Sequence, residues 1–443
     1  MTYDLHHLVI YGIVIVACGF LGLAALVRFD LSRGLSLSAG QKLALAAGIG
    51  SGVFAFSLKL VAIVVLSNLP ARAFIVAPQR AAFDAAASGL PEIPADPAPW
   101  RPWRPLPTSA PSPADNPTTP AKAALGEMLF HDANLSRDRT QSCASCHDVR
   151  AAVGDDGLPR AIGVAGRPGG RNAPTVFNAA FQKVLFWDGR ASSLEEQAKG
   201  PLVHPLEMAM PDHAAVEARV AENASYGAAF ATAFGADAPM DIAHIVKAIA
   251  AYERTLITPD APYDRFVRGE ESALSRQQLR GMGLFQTVGC VRCHAGSNFS
   301  DAAAPTSFSS PFRVFPIRDD ARVRRYRLDE DKGFAKADAQ KGLWRVPSLR
   351  NVALTAPYFH NGAVDDLKEA VRIMAVTQAN AALENDASDR TLIDWRPESG
   401  HLSSAAPLRL SERDIDDLAA FLHALTSDSL AARRKAGEGG ASR

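Results

Sequence analysis

The sequence predicts a mainly α-helical protein in which two related helical domains follow a membrane anchor. Three observations lead to this fold class. Two long apolar stretches lie within the first 70 of the 443 residues. From Ala121 onward, apolar residues recur with helical periodicity, and runs of β-branched residues are few. A G-x-x-L-F segment followed by C-x-x-C-H occurs twice, at residues 126–147 and 281–294.

The two apolar stretches predict a membrane anchor of two transmembrane helices within residues 1–70. Residues 8–27 carry no charge, and about 20 apolar residues suffice to cross a bilayer. Residues 43–69 are interrupted only by Lys59, which either marks a functional site or lies near the interface or pairs within the helical hairpin. The loop between the stretches carries three basic residues and one acid, Arg28, Arg33, Lys42 and Asp30. The positive-inside rule therefore predicts a cytoplasmic loop in the inner membrane, a periplasmic N-terminus and periplasmic domains after Pro70.

A proline-rich linker and two domains are predicted to follow the anchor. Residues 71–120 form the linker, since proline occupies about every third position from 91 to 120 and favours extended backbone. The repeated segments divide the rest into an N-terminal domain at 121–262 and a C-terminal domain at 263–428. The run Ser411 to Asp414 is typical of a helix N-terminus and opens a predicted helix through Leu425. Residues 429–443 are predicted to be a polar tail.

Charge and cysteine content exclude several classes of protein. Lysine plus arginine and aspartate plus glutamate both number 47, so no basic excess indicates a nucleic-acid partner. Four of the five cysteines form two C-x-x-C pairs, which is not the pattern of a small disulfide-stapled scaffold.

Each C-x-x-C pair is followed directly by a histidine, and C-x-x-C-H is the attachment motif of a c-type haem. The cysteines are Cys143, Cys146, Cys290 and Cys293, and the proximal iron ligands are His147 and His294. A zinc site or thiol redox chemistry is the alternative for such pairs, and zinc would require the two pairs to converge. Because each pair has its own histidine and its own upstream repeat, the sequence predicts two covalent haems c. Their attachment outside the cytoplasm agrees with the predicted topology.

The second axial ligand decides whether an iron carries electrons or performs chemistry. Met374 is the only methionine after His294, so His294 and Met374 are predicted to ligate the second haem iron. The alternative is that Met374 fills the core on its helix. For the first haem the spacing leaves an open site and six ligands as alternatives, namely His204, His213, His244, Met208, Met210 and Met240.

The sequence from about Ala121 to Leu425 resembles the bacterial di-haem cytochrome c peroxidase family, which includes the MauG-type enzymes. The matching motifs occur in order at residues 126–147, 171–175, 186–191, 205–208, 346–351 and 357–362. The resemblance implies two cytochrome c-like domains, each with one haem c, whose haems face each other across the interface.

The same resemblance implies roles for individual residues. Glu207 matches the acid/base that moves a proton on bound peroxide, and Gln197 matches its neighbour in the pocket. Trp187 matches the tryptophan between the haems and is the expected electron path. Met374 occupies the position where MauG-type enzymes have a tyrosine, which favours the peroxidase branch.

A calcium ion between the domains and an open first haem are also expected from the resemblance. The side chain of Asn172 and the carbonyls of Thr355 and Pro357 are the implied calcium ligands, and His360 is expected near the second haem. Val164 takes the place of a histidine that caps the first iron in many members. Since valine cannot ligate iron, the first haem is expected to be open or water-bound when fully oxidised.

These observations together predict a membrane-anchored periplasmic cytochrome c peroxidase. Hydrogen peroxide is the expected substrate, a small cytochrome c or a cupredoxin the expected electron donor, and a homodimer a further expectation. A MauG-like enzyme that oxidises a protein residue, and a non-catalytic di-haem electron carrier, are the alternatives.

Overall fold

Short α-helices joined by long loops make up the part of the chain that the computed structural model describes. It describes residues 104–150, 153–303, 311–317, 319–334, 342–379, 381–384 and 408–440, all within one compact unit of the chain. No helix in these ranges is long and apolar enough to cross a membrane. The predicted spans at 8–27 and 43–69, Lys59 and linker residues 71–103 lie outside the described residues.

Six helices surround the first hydrophobic core and form what we call the first lobe. Pro120 occupies the first turn of α1, where its missing N–H costs nothing, and Thr119 caps that turn by accepting from Lys122 N. Asp241 caps α6 in the same way. The helices are α1 Pro120–Phe130, α2 Cys143–Cys146, α3 Leu194–Val203, α4 His213–Ala221, α5 Ala224–Phe234 and α6 Ile242–Glu253.

A second hydrophobic core organises the second lobe, which contains the two small sheets. Strand β1 Phe312–Val314 pairs antiparallel with β2 Leu343–Arg345, and β3 Ala382–Leu383 pairs parallel with β4 Arg409–Leu410. Ser411 and Asp414 form a capping box at the predicted helix N-terminus, and the helix that follows is confirmed. The helices of this lobe are α7 Pro262–Val267, α8 Arg276–Val288, α9 Ala321–Arg325, α10 Leu367–Thr377 and α11 Glu412–His423.

The repeated glycine has the same packing role in both lobes. A Cβ on Gly126 in α1 would lie 2.0 Å from the carbonyl oxygen of Ala248 in α6. A Cβ on Gly281 in α8 would lie 1.8 Å from the carbonyl oxygen of Asp417 in α11. In each lobe glycine therefore lets two helix backbones come closer than any side chain would allow. The glycine of each G-x-x-L-F segment therefore marks a close helix crossing.

Both ends of the described chain pack more closely than the sequence indicates. Within the predicted linker, Leu106 and Asn116 are buried, and Leu106 N donates to Asp264 Oδ1 at 2.8 Å. The segment predicted as a polar tail forms helix α12, Asp428–Gly440. Its Leu430 is fully buried in the core of the first lobe, so a helix from the C-terminal end contributes to the N-terminal core.

Candidate functional site

The first C-x-x-C-H motif lines a cavity of about 550 Å³ in the first lobe. Cys143 and Cys146 are the ends of the one-turn helix α2, whose start is fixed by Ser142 N donating to Ser145 Oγ at 3.0 Å. His147 follows at the helix end. Its Nδ1 lies 3.2 Å from the carbonyl oxygen of Gly154. One turn of helix therefore brings two thiols and an imidazole to the wall of one cavity.

The second motif lines a separate cavity of about 300 Å³ in the second lobe. Gly289 ends α8 in the left-handed conformation, with φ of 96°, and the chain turns directly into Cys290. His294 Nδ1 lies 3.1 Å from the carbonyl oxygen of Phe299. Met374, from α10, lines the same cavity.

The donor sets of both cavities fit haem c. A ring Nδ1 that is engaged by a carbonyl leaves Nε2 available for a metal and fixes the imidazole orientation. Burial lowers the pKa of His147, and lowers that of His294 to about 4, so both imidazoles stay neutral as iron ligation requires. The two cysteine pairs line different cavities, which does not meet the convergence that a shared zinc site would need.

The thiols and one buried histidine agree with this assignment. Burial raises the pKa of Cys143 and Cys290 to about 12, so the neutral thiol is the favoured form of both residues. His360 lines the second cavity, where its ring is stacked on Trp344 with the centroids 4.1 Å apart. Its Nε2 is buried without a hydrogen-bond partner in the described part of the chain. A polar group bound in this cavity would satisfy that atom.

Trp187 lines both cavities. Its indole Nε1 donates to the carbonyl oxygen of Asn172 at 2.9 Å, and its own carbonyl oxygen accepts from Arg345 N at 3.0 Å. The tryptophan is therefore held from both sides at the wall that the cavities share.

Glu207 and Gln197 both line the first cavity, together with the arginine that follows the tryptophan loop, Arg190. Gln197 projects from α3, and Glu207 lies in the turn that follows this helix. Burial raises the pKa of Glu207, and the charges of His204 and Arg190 partly oppose that rise. A carboxyl group whose pKa is raised is suited to exchange protons near neutral pH.

The structure separates the six ligand alternatives for the first iron. His204 and Met208 line the first cavity. The other four do not line it. Met210 and Met240 pack in or against the first core, His213 Nε2 lies 3.2 Å from the carbonyl oxygen of Lys199, and His244 Nδ1 lies 2.7 Å from Asp241 Oδ1.

Val164 is not directed at the first cavity. Its side chain is fully buried, and its amide donates to the carbonyl oxygen of Glu207 at 3.0 Å. The next residue, Ala165, has a φ of 56°, which turns the chain sharply. This loop lines the cavity with Ala161, Gly163, Gly169 and Gly170, whose side chains offer no iron ligand. Our expectation that residue 164 faces the iron position therefore has to be corrected, although the loop supplies no ligand in either case.

The three residues expected to bind calcium line the second cavity, Asn172, Thr355 and Pro357. The backbone nitrogen of Asn172 donates to the backbone carbonyl oxygen of His360 at 2.8 Å. Its side-chain Nδ2 donates to the carbonyl oxygen of Leu158 at 2.8 Å. The segment is thus anchored next to Trp187 and His360.

Sequence reasoning missed Glu253, which lines the first cavity at the end of α6. The residue is 5% exposed, and its Oε2 has no hydrogen-bond partner in the described part of the chain. Burial raises its pKa to about 8. The sequence signal that could have identified Glu253 is its position, because the residue continues the buried apolar face of α6.

Comparison with known proteins places these features in a family. The model of the family described as di-haem cytochrome c peroxidase matches residues 120–272. Cytochrome c551 peroxidase of Pseudomonas aeruginosa is 38% identical over 314 residues, which cover 70% of this chain and 80% of that protein. Cytochrome c peroxidase Ccp of Escherichia coli is 37% identical over 318 residues, and the match spans 71% of this chain but 60% of that protein.

A solved structure of a similar protein has the same fold. The crystal structure of a MauG-like protein associated with microbial copper homeostasis superposes with a TM-score of 0.60 at 30% identity. The superposition covers 74% of this chain and 96% of that chain.

The fold and the two cysteine–histidine cavities are those of a haem-binding redox protein. The comparisons narrow this class, and the chain belongs to the di-haem cytochrome c peroxidase family. The predicted family, the mainly helical fold, the haem cofactors and an enzyme of the cytochrome c peroxidase class are confirmed at this level.

Proposed function

We propose that this protein is a membrane-anchored periplasmic peroxidase that reduces hydrogen peroxide to water. Its electrons come from a small cytochrome c or a cupredoxin. The observation that carries the proposal is the difference between the two cavities. The first brings Glu207 and Gln197 into the space next to His147, whereas the second brings Met374 into the space next to His294.

Haem c, when bound, supplies an iron position for peroxide reduction in the first cavity and an electron store in the second. His147 and His294 hold Nε2 toward their cavities, because backbone carbonyls engage Nδ1. Glu207 takes a proton from the peroxide oxygen that is nearer to the iron position. It returns this proton to the oxygen that is farther from the iron position, and that oxygen leaves as water.

Two further residues position the substrate and connect the cavities. The Gln197 amide donates to the peroxide and orients it beside Glu207. Trp187 bridges the cavities, so the electron path between them runs through its indole. Met374 would hold the second haem together with His294, and its thioether would raise the potential of that haem and make it the acceptor for the donor protein.

The proposed site is tested by oxidation of a reduced small cytochrome c by hydrogen peroxide with the full chain carrying both haems. Glu207→Gln is expected to lower kcat about 100-fold or more, since general acid–base catalysis contributes that much. Glu222→Gln, an exposed carboxylate in the same lobe, is the matched control and is expected to keep wild-type turnover.

Other outcomes would overturn the proposal. Wild-type turnover in the Glu207→Gln variant would remove the proposed acid/base. Absence of turnover in the wild type would leave an electron carrier. Slow donor oxidation together with a changed mass on a partner protein would indicate MauG-like chemistry.

The location and the calcium ion belong to the same proposal. The anchor and the periplasmic location rest on residues 8–27 and 43–69 and on the basic loop between them. A reporter that is active only in the periplasm, fused after residue 443, is expected to be active.

Calcium held by Asn172 and the carbonyls of Thr355 and Pro357 would brace the wall next to Trp187. Removal of calcium by a chelator is expected to lower turnover reversibly. The homodimer stays a prediction.

A further inference from the structure

His204 and Glu207 form a pair on the wall of the first cavity. Nδ1 of His204 lies 3.3 Å from Oε1 of Glu207, and both side chains line the cavity. The side chain of His204 is 40% exposed and that of Glu207 is 36% exposed. The imidazole therefore reaches solvent and the reacting carboxyl group at the same time.

Backbone hydrogen bonds hold this pair at a fixed separation. Glu207 N and Ala209 N both donate to the carbonyl oxygen of His204 at 3.0 Å. From the neighbouring loop, Val164 N donates to the carbonyl oxygen of Glu207, and the Arg167 guanidinium donates to that of Pro205. Hydrogen bonds within the turn and from the neighbouring loop therefore hold the pair in place.

Nδ1 of His204 and Oε1 of Glu207 are close enough to exchange a proton. Leu206 N donates to His204 Nδ1 at 3.4 Å, so this nitrogen is an acceptor when the ring is neutral. The facing carboxyl oxygen then holds the proton. When Nδ1 holds the proton instead, Glu207 is a carboxylate beside an imidazolium. Proton exchange between the two groups therefore needs no movement of the backbone.

The other charged groups that face the pair are arginines. Arg190 lines the cavity from the loop after Trp187, and its charge acts on Glu207. Arg167 comes from the loop that packs on the turn. Burial opposes the state in which the carboxyl group has given up its proton, while the charge of Arg190 favours that state.

We propose that His204 delivers protons from solvent to Glu207 during each turnover. The inference rests on the proposed function and extends it. Reduction of hydrogen peroxide by two electrons requires two protons and yields two molecules of water. The transfer by Glu207 uses protons already present on the peroxide for the first water. The remaining oxygen becomes the second water only after two protons arrive from solvent together with the two electrons. Each of those two protons first converts the neutral imidazole to an imidazolium, then moves from its Nδ1 to the Glu207 carboxylate, which restores the neutral ring, and then passes to the oxygen.

The test compares wild type with His204→Asn in the full chain carrying both haems. Asparagine retains a side-chain acceptor for Leu206 N but cannot relay protons. We expect kcat to fall about tenfold or more, the KM for peroxide to stay the same, and added imidazole to restore turnover. His131→Asn, in a half-buried histidine at the end of α1 that does not line the cavity, is the matched control and is expected to match wild type.

A second readout does not depend on turnover. Infrared titration follows the carboxyl band of Glu207, which is assigned by its loss in Glu207→Gln. Because the imidazolium charge lowers the pKa of Glu207, the His204→Asn variant is expected to titrate at higher pH. A purely structural role for His204 would not move this band.

The outcomes separate this inference from the proposed function. If Glu207→Gln abolishes turnover while His204→Asn changes neither kcat nor the Glu207 titration, the relay is wrong and the peroxidase stands. Loss of kcat that imidazole does not restore, with an unshifted Glu207 band, also overturns the relay. Unchanged turnover in Glu207→Gln would overturn the proposed function itself.

Discussion

Replacement of Glu253 by glutamine tests the most unusual carboxyl group of the first cavity. The side chain is 5% exposed and its Oε2 is unpartnered within the described residues. The adjacent Arg254 offsets the effect of burial only in part, because Arg254 Nη2 donates to Glu195 at 2.7 Å. Burial therefore raises the pKa of Glu253 from 4.5 to about 8.

This pKa predicts how stability depends on pH. The folded state binds the Glu253 proton more tightly than the unfolded state does, so the contribution of Glu253 to stability is fully present below pH 4.5. It is lost as pH rises from 4.5 to about 8, because only the unfolded chain releases the proton easily in that range. At about 1.4 kcal/mol per pKa unit, the loss has an upper limit of about 5 kcal/mol.

Glutamine mimics the protonated form at every pH. The Glu253→Gln variant is therefore expected to match wild type near pH 4.5 and to exceed its free energy of unfolding by a few kcal/mol near pH 9. Urea unfolding of the haem-loaded protein, followed by far-ultraviolet circular dichroism across this range, measures the difference. Glu222→Gln, in an exposed carboxylate, is expected to follow wild type. Parallel curves for wild type and Glu253→Gln would refute the reasoning.

Three further predictions concern the frame and the second cavity. Asp264 and Arg350 form a fully buried bidentate pair with distances of 2.6 and 2.9 Å, so Asp264→Asn is expected to cost about 3–5 kcal/mol in urea unfolding by leaving a buried charge uncompensated. An unchanged midpoint would contradict this. Leu430→Ala, in the fully buried residue of α12, is expected to cost about 2–5 kcal/mol by the same measurement, and a loss below 1 kcal/mol would show that α12 does not stabilise the first lobe. Met374→His is expected to lower the potential of the second haem by on the order of 0.1 V in a spectroelectrochemical titration. An unchanged potential would make Met374 a core residue.

Periodic and covalent constraints made much of the fold predictable. Each C-x-x-C-H motif fixes two thiols and an imidazole within one turn. The residues of each motif line a cavity of their own. The repeated Gly126 and Gly281 mark the same helix crossing in each lobe, because only glycine fits there. The capping box at Ser411 identified the start of α11.

Features that depend on the conformation of loops could not be read from the sequence. Val164 is buried in a loop in which Ala165 adopts a left-handed conformation, and no local pattern requires that conformation. The proline-rich segment was predicted to be an extended linker, but Leu106 N donates to Asp264, more than 150 residues away along the chain. The pairing of His204 with Glu207 likewise depends on a turn that long-range backbone hydrogen bonds hold in place.

The most direct measurement is electron paramagnetic resonance of the fully oxidised protein with both haems, repeated after one-electron reduction. The proposed peroxidase requires one iron with a vacant or water-filled position beside Glu207 and another closed by Met374. We expect one low-spin ferric haem with histidine–methionine ligation and one high-spin or water-ligated haem that responds to Glu207→Gln. Two low-spin haems with protein ligands on both faces, before and after reduction, would contradict it.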